Sequence, residues 1–252
     1  MLIFQDFSAG YGNRFVLNNI DVRVDENLFI GVIGRNGSGK STLIKSLAGL
    51  IYFVKGEIFY RGISLLKRKS LNVVSYIPQE INVVFGFSVY EILRMSQRSY
   101  QKFFSRISNS ERKRLDDVID KFELKGILDR NIFSLSGGEK KRVMIARGVA
   151  QNSDIILLDE PLSGLDIDHQ IKVFQILKEI SLSGRMVVAS VHDLSMAAQF
   201  CDKIMLLDNG RLIRYGTVED VLTYSNVKNT FGVEVYVGVN EINQKRFLIP
   251  FK

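Results

Sequence analysis

The chain has 252 residues, of which 46% are hydrophobic and 24% are charged, a composition typical of one large globular domain or of a core with a subdomain. Its net charge of +7 is compatible with a nucleic acid, an anionic membrane surface or a phosphorylated ligand, but the densest basic cluster, Lys67–Lys69, is too short for a nucleic-acid-binding tail. One cysteine and two histidines exclude a disulfide framework and disfavour a structural zinc site, and no stretch resembles a signal peptide or the roughly 18 apolar residues of a membrane span.

The predicted elements begin with strands. Alternating apolar residues within Leu2–Tyr60 predict antiparallel strands. Four continuous apolar runs farther along predict strands that are buried on both faces. Because helical patterns lie between these runs, the sequence predicts an α/β fold with a parallel sheet. The four runs are Leu28–Gly34, Asp154–Glu160, Met186–Asp193 and Lys203–Gly210.

The segment between Ile81 and Ala150 has a different residue pattern, which predicts helices and shows no evident strand. Ser108 and Glu111 predict a capping box at the start of one helix. The apolar residues that follow at helical spacing are expected to face the core, and Cys201 is expected to be structural. Alternation returns at the C-terminus and predicts short strands there. The apolar helix residues are Leu115, Val118, Ile119 and Phe122.

The glycine-rich segment "GRNGSGKST" follows a predicted strand and precedes a predicted helix. Its Gly-x-x-x-x-Gly-Lys-Ser pattern is that of a phosphate-binding loop. Glycines let backbone N–H groups curve around phosphates, and the helix N-terminus adds partial positive charge. We expect Lys40 to reach the β- and γ-phosphates of ATP and the Ser41 hydroxyl to ligate Mg²⁺. The predicted nucleotide contacts are Gly34, Arg35, Asn36, Gly37, Ser38, Gly39, Lys40, Ser41 and Thr42.

A pair of acidic residues ends the apolar run "IILLDE". Asp159 is expected to hold Mg²⁺ through its water shell, and Glu160 to polarise the attacking water. The alternative is a plain solvated turn at a strand end. The phosphate-binding loop in the same chain favours the catalytic interpretation.

Further motifs resemble those of the ATP-binding-cassette (ABC) ATPases over nearly the whole chain. "LSGGE" at Leu135–Glu139 resembles the signature motif of that family. Tyr11 matches the aromatic residue that stacks on adenine, and Gln79 matches the glutamine that links the γ-phosphate and Mg²⁺ to the partner subunit. "SGLD" at Ser163–Asp166 matches the D-loop, and His192 matches the switch histidine. Taken singly, Tyr11 is also explained as a surface aromatic, Gln79 as a polar loop residue and His192 as a capped strand end.

The resemblance implies a P-loop NTPase fold of the RecA-like class, with an N-terminal antiparallel β subdomain and a helical subdomain. We expect one ABC ATPase domain over residues 1–252. Residues 1–79 and 152–252 would form the nucleotide-binding core with its β subdomain, and residues 80–151 the helical signature subdomain.

The resemblance also implies a site shared by two copies. Two cassettes pair head to tail, and each ATP lies between the phosphate-binding loop of one chain and the signature of the other. Glu160 would be the general base, His192 and Lys40 would contact the γ-phosphate, and Gln79 would join the metal site. Asp166 would couple the two sites. The signature contacts to nucleotide would be Ser136, Gly137, Gly138 and Glu139.

Three residues depart from the common family pattern. Glu139 stands where glutamine is commoner, Lys141 where many relatives carry glutamine, and Arg35 where proline is frequent. None of these removes a chemical group that hydrolysis requires.

The resemblance is most specific to cassettes of importers for iron-siderophores, haem and vitamin B12, through Leu165–Gln170, Gly216–Thr223 and Phe231–Val237. In the segment after Gln79, the sequence pattern of these importer cassettes is largely absent, and Arg98 is the one residue that clearly matches it. The implied function is the ATP-hydrolysing subunit of a membrane importer for such cargo. The implied partners are separate transmembrane permease subunits and, indirectly, an extracytoplasmic binding protein, with no nucleic acid. The expected location is peripheral, on the cytoplasmic face of the cell membrane.

The permease is expected to dock near Gln79, on the segment Ile81–Leu93. This segment is predicted to be a loop that presents Val83, Val84, Phe85 and Phe87, and apolar loop residues often mark a partner surface. The alternative is a locally buried loop.

Other functions remain open at the level of sequence. The chain could serve another cargo or an exporter with a separate membrane subunit. It could be a soluble ABC ATPase that acts in DNA repair or on ribosomes, although ATPases of that class usually carry a long coiled-coil insertion or two tandem cassettes. A cassette that clamps on ATP without hydrolysing it is disfavoured, because Glu160 and His192 are both present.

Overall fold

A computed structural model describes residues 1–66, 73–80, 85–96, 108–162 and 164–251. Several residues singled out in the sequence lie outside these ranges, so their predicted roles stay predictions. They are Lys67–Lys69, Val83, Val84, Arg98 and Ser163.

The N-terminal part folds as an antiparallel sheet, which confirms the expectation from its alternating pattern. Strand order in this sheet is β2-β1-β4-β5. Side chains on one face of β1, among them Phe4 and Phe7, are buried against the rest of the protein. This sheet is the β subdomain. Its strands are β1 (Leu2–Tyr11), β2 (Arg14–Val24), β4 (Phe53–Tyr60) and β5 (Ile63–Ser64). The intervening strand β3 (Phe29–Gly34) belongs to the central sheet.

The central sheet has six strands in the described residues, in the order β10-β9-β3-β8-β7-β6. All adjacent pairs are parallel except β9 with β10. The four apolar runs form β3, β7, β8 and β9, as the sequence predicts, and the α/β fold class is confirmed. The remaining strands are β6 (Val74–Ile77), β7 (Ile155–Leu158), β8 (Met186–Ser190), β9 (Lys203–Asp208) and β10 (Arg211–Thr217).

Both faces of the central sheet are covered, which explains the continuous apolar runs. On β3, Phe29 and Ile33 pack into one hydrophobic cluster with the helices that follow the later strands. Ile30 and Val32 point to the opposite face and pack with the β subdomain. The helices in the described residues are α1 (Lys40–Leu47), α2 (Val89–Met95), α3 (Asn109–Lys121), α4 (Gly137–Ala150), α5 (Ile167–Leu182), α6 (Leu194–Phe200), α7 (Val218–Val221) and α8 (Tyr224–Phe231).

The region between β6 and β7 is helical, and no strand occurs in its described part. The predicted capping box is present, because Ser108 Oγ accepts from Glu111 N and the Glu111 carboxylate accepts from Ser108 N. The apolar stripe of α3 is buried, as predicted. The expectation of a loop through Leu93 is wrong beyond Ser88. Helix α2 begins at Val89, because Ser88 and Glu91 form a second capping box.

The C-terminal strands β11 (Glu234–Val239) and β12 (Arg246–Phe251) form an antiparallel hairpin, as the alternation predicts. The hairpin is joined to α6 by Ser195, whose hydroxyl lies 3.1 Å from both the N and the O of Leu248. None of the helices in the described ranges has the length and apolar character needed to cross a membrane.

Candidate functional site

The phosphate-binding loop connects β3 to α1, as predicted. Gly39 has φ 104, a left-handed conformation that favours glycine. At Gly34 a Cβ atom would lie 2.2 Å from Leu207 O, so only glycine fits where the loop leaves the sheet. The hydroxyl of Ser38 is buried and has no hydrogen-bond partner among the described residues. A buried unpaired hydroxyl inside such a loop fits a phosphate ligand, which would satisfy it.

Lys40 lies inside the loop and is 5% exposed. Its Nζ donates to Gly34 O at 2.9 Å and to Arg35 O at 3.2 Å. Burial lowers the pKa of Lys40, while the carboxylates of Glu160 and Asp159 act in the opposite direction. The ammonium is therefore held at the loop by carbonyl oxygens and faces the two acids of the site.

Asp159 follows β7 and is 2% exposed. Its Oδ1 accepts from Ser41 Oγ at 2.9 Å and from Ser190 Oγ at 3.1 Å. Ser190 Oγ in turn accepts from Glu160 N at 2.7 Å. Ser190 belongs to none of the sequence motifs, and its one signal in the sequence is that of a hydroxyl residue at the end of an apolar strand. These oxygen donors are the type that Mg²⁺ prefers, so the residues fit that ion.

Glu160 joins residues from three strand ends. Its backbone has φ 48, which is an uncommon conformation for a residue other than glycine and marks a constrained position. Glu160 Oε2 accepts from Gln79 Nε2 at 2.6 Å, and its Oε1 lies 2.7 Å from His192 Nε2. The structure therefore brings three of the four predicted catalytic side chains into direct contact at the edge of the sheet, and the fourth, Lys40, lines the same cavity.

A cavity of about 450 Å³ lies over the loop and this cluster, within the size range of ligand sites. Val16 adds an apolar wall beside the β subdomain. The other residues lining it are Asn36, Gly37, Gly39, Lys40, Ser41, Thr42, Gln79, Glu160 and His192.

The signature residues lie outside this cavity. Ser136 is exposed and is the N-cap of α4, where its Oγ accepts from Glu139 N at 3.2 Å. The Glu139 carboxylate accepts from Ser136 N at 2.8 Å and pairs with Arg130, and the backbone hydrogen bond is the main reason that the pKa of Glu139 is lowered. The described lining of the cavity also lacks Tyr11, which is 51% exposed at the end of β1, and Asp166, which is exposed at the N-cap of α5.

The fold and the site define a P-loop nucleotide-binding protein of the NTPase class. A family model described as ABC transporter matches residues 17–163. The chain therefore belongs to the ABC transporter family, and its fold is that of an ATP-binding cassette.

Several similar proteins are named as ATP-binding proteins of import or transport systems. A cobalamin import ATP-binding protein of Halobacterium salinarum is 31% identical over 229 residues, which are 89% of this chain and 57% of that protein. The chain thus spans little more than half the length of that relative. A petrobactin import ATP-binding protein of Bacillus anthracis is 31% identical over 95% of this chain and 89% of its own length. A manganese transport system ATP-binding protein of Synechocystis is 32% identical over 93% of this chain and 91% of its own length.

Solved structures share the fold. An ABC transporter in an inward-facing conformation superposes with a TM-score of 0.83 at 24% identity, covering 100% of this chain and 97% of that one. A dimeric ATP-binding cassette in a post-hydrolysis state, bound to ADP and Pi, has a TM-score of 0.74 at 27% identity. The alignment covers 86% of this chain and 99% of that cassette.

Proposed function

We propose that this cassette hydrolyses ATP to energise a membrane importer, and that each ATP is bound between two copies of the chain. The observation that carries the proposal is the division of the site. Lys40, Gln79 and Glu160 line one cavity, whereas Ser136 of the signature is exposed and is not part of its described lining. A single chain therefore presents two separate half-sites.

The half-site at the phosphate-binding loop supports the chemistry of hydrolysis. Lys40 and the loop N–H groups would hold the β- and γ-phosphates. Ser41, Asp159 and Gln79 would hold Mg²⁺, which when bound supplies positive charge to the phosphate oxygens. Water would attack the γ-phosphorus, the bond to the bridging oxygen would break, and ADP would leave. Glu160 would accept the proton of the water, while His192 would contact the γ-phosphate.

The second half-site would come from another copy. Ser136 caps α4, a helix of 14 residues. The N-terminus of such a helix, with its first N–H groups, favours a negatively charged group. Tyr11 would stack on adenine, and Asp166 would lie near the interface with the partner. The dimeric state of a cassette with 27% identity supports this arrangement. The signature residues proposed to contact nucleotide are Ser136, Gly137, Gly138 and Glu139.

A permease is proposed to dock on the loop before α2. Phe85 is 67% exposed, and its ring centroid lies 5.9 Å from that of Phe87. The loop is held by Asn131, whose Nδ2 donates to Gly86 O at 2.7 Å. An apolar side chain fixed in an exposed position is suited to a partner surface. The cassette would then lie on the cytoplasmic face of the cell membrane.

The proposed cargo is an iron chelate, haem or a cobalamin-type molecule, delivered by an extracytoplasmic binding protein. The relatives that import cobalamin and petrobactin support this class. A metal ion such as manganese is the second candidate, since the manganese relative matches over most of both chains.

The test of hydrolysis uses Glu160→Gln, with Glu241→Gln in the exposed turn of the C-terminal hairpin as the matched control. We expect the first variant to lose about 100-fold to 10,000-fold of the ATPase rate, because it cannot accept the proton. It should also accumulate as an ATP-dependent dimer by size-exclusion chromatography with light scattering. The control should behave as wild type. A Glu160→Gln protein with wild-type turnover would refute the role of Glu160 as the base.

A further inference from the structure

Lys141 is a buried lysine on the second turn of α4 and is 4% exposed. Its Nζ donates to the backbone oxygen of Gln79 at 2.7 Å. Burying an ammonium group is costly unless it is hydrogen-bonded, so this contact is a specific feature of the site. The sequence alone marks Lys141 only as a departure from the commoner glutamine.

Lys141 lies close to the two acidic residues of the site, Glu160 and Asp159. Burial lowers its pKa, while the carboxylates of Glu160 and Asp159 counteract this effect. The ammonium therefore lies on the side of α4 that faces the site, although the helix itself belongs to the helical region.

Gln79 is held at both ends by these contacts. Its backbone oxygen accepts from Lys141, and its side-chain Nε2 donates to Glu160 Oε2 at 2.6 Å. Lys141 lies five residues after Ser136, the N-cap of α4, which is about 7.5 Å along the helix axis. One continuous set of contacts thus joins the exposed signature to the catalytic carboxylate.

We propose that Lys141 is a positioning residue that fixes Gln79 relative to α4, so that a shift of the signature is transmitted to the contact between Gln79 and Glu160. This inference rests on the proposed function, because it assigns Gln79 and Glu160 to hydrolysis. A partner copy that binds at Ser136 would displace α4 as a rigid element. Lys141 would carry this displacement to Gln79 and adjust the catalytic carboxylate only when ATP joins the two copies.

The first test is a double-mutant cycle with Lys141→Met, Gln79→Ala and the double variant. Lys141→Met removes the donor at nearly constant length. We expect it to lower kcat about 10-fold to 100-fold, as the loss of a charge-assisted hydrogen bond predicts. The Kd for a fluorescent ATP analogue should change less than about twofold, because the phosphate-binding loop is untouched. In the Gln79→Ala background the effect of Lys141→Met on kcat should disappear.

The matched control is Lys140→Met, which makes the same change one residue earlier on α4 at a half-buried position. It should keep the wild-type kcat. Lys141→Arg, which retains donors, should recover most of the activity. Lys141→Ala replaces the methionine variant if that protein does not fold, since alanine favours the helix. Additive effects of Lys141 and Gln79 on kcat would overturn the proposal.

A second measurement needs no hydrolysis and separates this inference from the proposed function. Hydrogen–deuterium exchange of the nucleotide-free protein should increase in peptides that cover residues 73–80 when Lys141 is replaced by Met, and not when Lys140 is. Unchanged exchange there would overturn the role of Lys141 whether or not the chain hydrolyses ATP. A wild-type protein without ATPase activity, together with increased exchange, would leave Lys141 as the tether of Gln79 and refute the hydrolytic function alone.

Discussion

The two ends of the proposed nucleotide site differ in how far a single chain completes them. At the phosphate-binding loop, Ser41, Ser190 and Asp159 form an interlocked set with Asp159 buried. At the signature, Ser136 is exposed, and its hydroxyl caps its own helix. The side chains of the first half-site are already held together without a ligand. The second half-site offers a helix N-terminus, and we propose that the nucleotide it binds is held by the loop of another copy.

The difference follows from topology. Adjacent parallel strands end at one edge of the central sheet, so residues after β3, β7 and β8 meet there although they are far apart in sequence. The signature is placed by α4, which packs beside the sheet and leaves Ser136 and Gly137 at its start exposed. Preorganisation at the sheet and exposure at the helix are what a shared site requires.

The largest effect should come from the organised half-site. Asp159→Asn keeps the shape of the side chain but removes the charge proposed to hold Mg²⁺. We expect the Mg²⁺-dependent ATPase rate to fall about 1,000-fold, since metal stabilisation of transition-state charge amounts to several kcal/mol. Asp154→Asn, at an exposed position on the same segment, is the control. If Asp159→Asn keeps the wild-type Mg²⁺ dependence, the metal assignment fails.

A smaller effect is expected at the exposed half-site, where the chain offers a close control. Ser136 and Ser108 each form a capping box with a glutamate three residues later. Replacing either serine by alanine should lower the free energy of unfolding by about 1 kcal/mol. Only Ser136→Ala should also lower kcat, by about 10-fold, because only this hydroxyl is proposed to bind phosphate. Equal ATPase rates in the two variants would contradict a role of the signature in the site.

The smallest effect should come from a charge pair that lies away from both half-sites. Hydrogen bonds from Arg61 are the main reason that the pKa of Glu26 is lowered to about 2, and both side chains are partly exposed. Because the folded pKa is below the ordinary value of 4.5, the stabilisation is present above pH 4.5 and is lost as pH falls toward 2.

Glu26→Gln should therefore lower the free energy of unfolding by less than about 1 kcal/mol at pH 7, and by less still at pH 3. Urea titration at the two pH values measures this difference. A larger cost at pH 3 than at pH 7 would contradict the sign of the linkage. ATPase activity should stay at the wild-type level, which provides a baseline for the two catalytic comparisons.

The parts of the site that the sequence could predict are local. Gly34, Gly39, Lys40 and Ser41 belong to one loop whose spacing reflects its backbone geometry, and the apolar runs reflect burial on both sides of the sheet. Strand β6 has a weaker signal in the sequence, because it is only four residues long and alternates between buried and half-buried positions.

The contacts that could not be predicted are long-range. Ser190 meets Asp159 across neighbouring strands, and Lys141 reaches Gln79 from a helix 62 residues away in sequence. Neither pairing leaves a periodic signal, because spacing within one segment says nothing about register between segments. The start of α2 at Val89 differs, because its signal is local: Ser88 and Glu91 have the spacing of a capping box and follow directly after the apolar residues Phe85 and Phe87.

The most direct test of a shared site is a mixing experiment with two inactive variants. Lys40→Ala disables the phosphate-binding loop and leaves the signature intact, whereas Ser136→Glu places a negative charge at the signature and leaves the loop intact. A hybrid dimer then contains one complete site, and random pairing makes half of the dimers hybrid, so the mixture should recover about a quarter of the wild-type ATPase rate. A rate that stays at the level of the separate variants would contradict a site built from two copies.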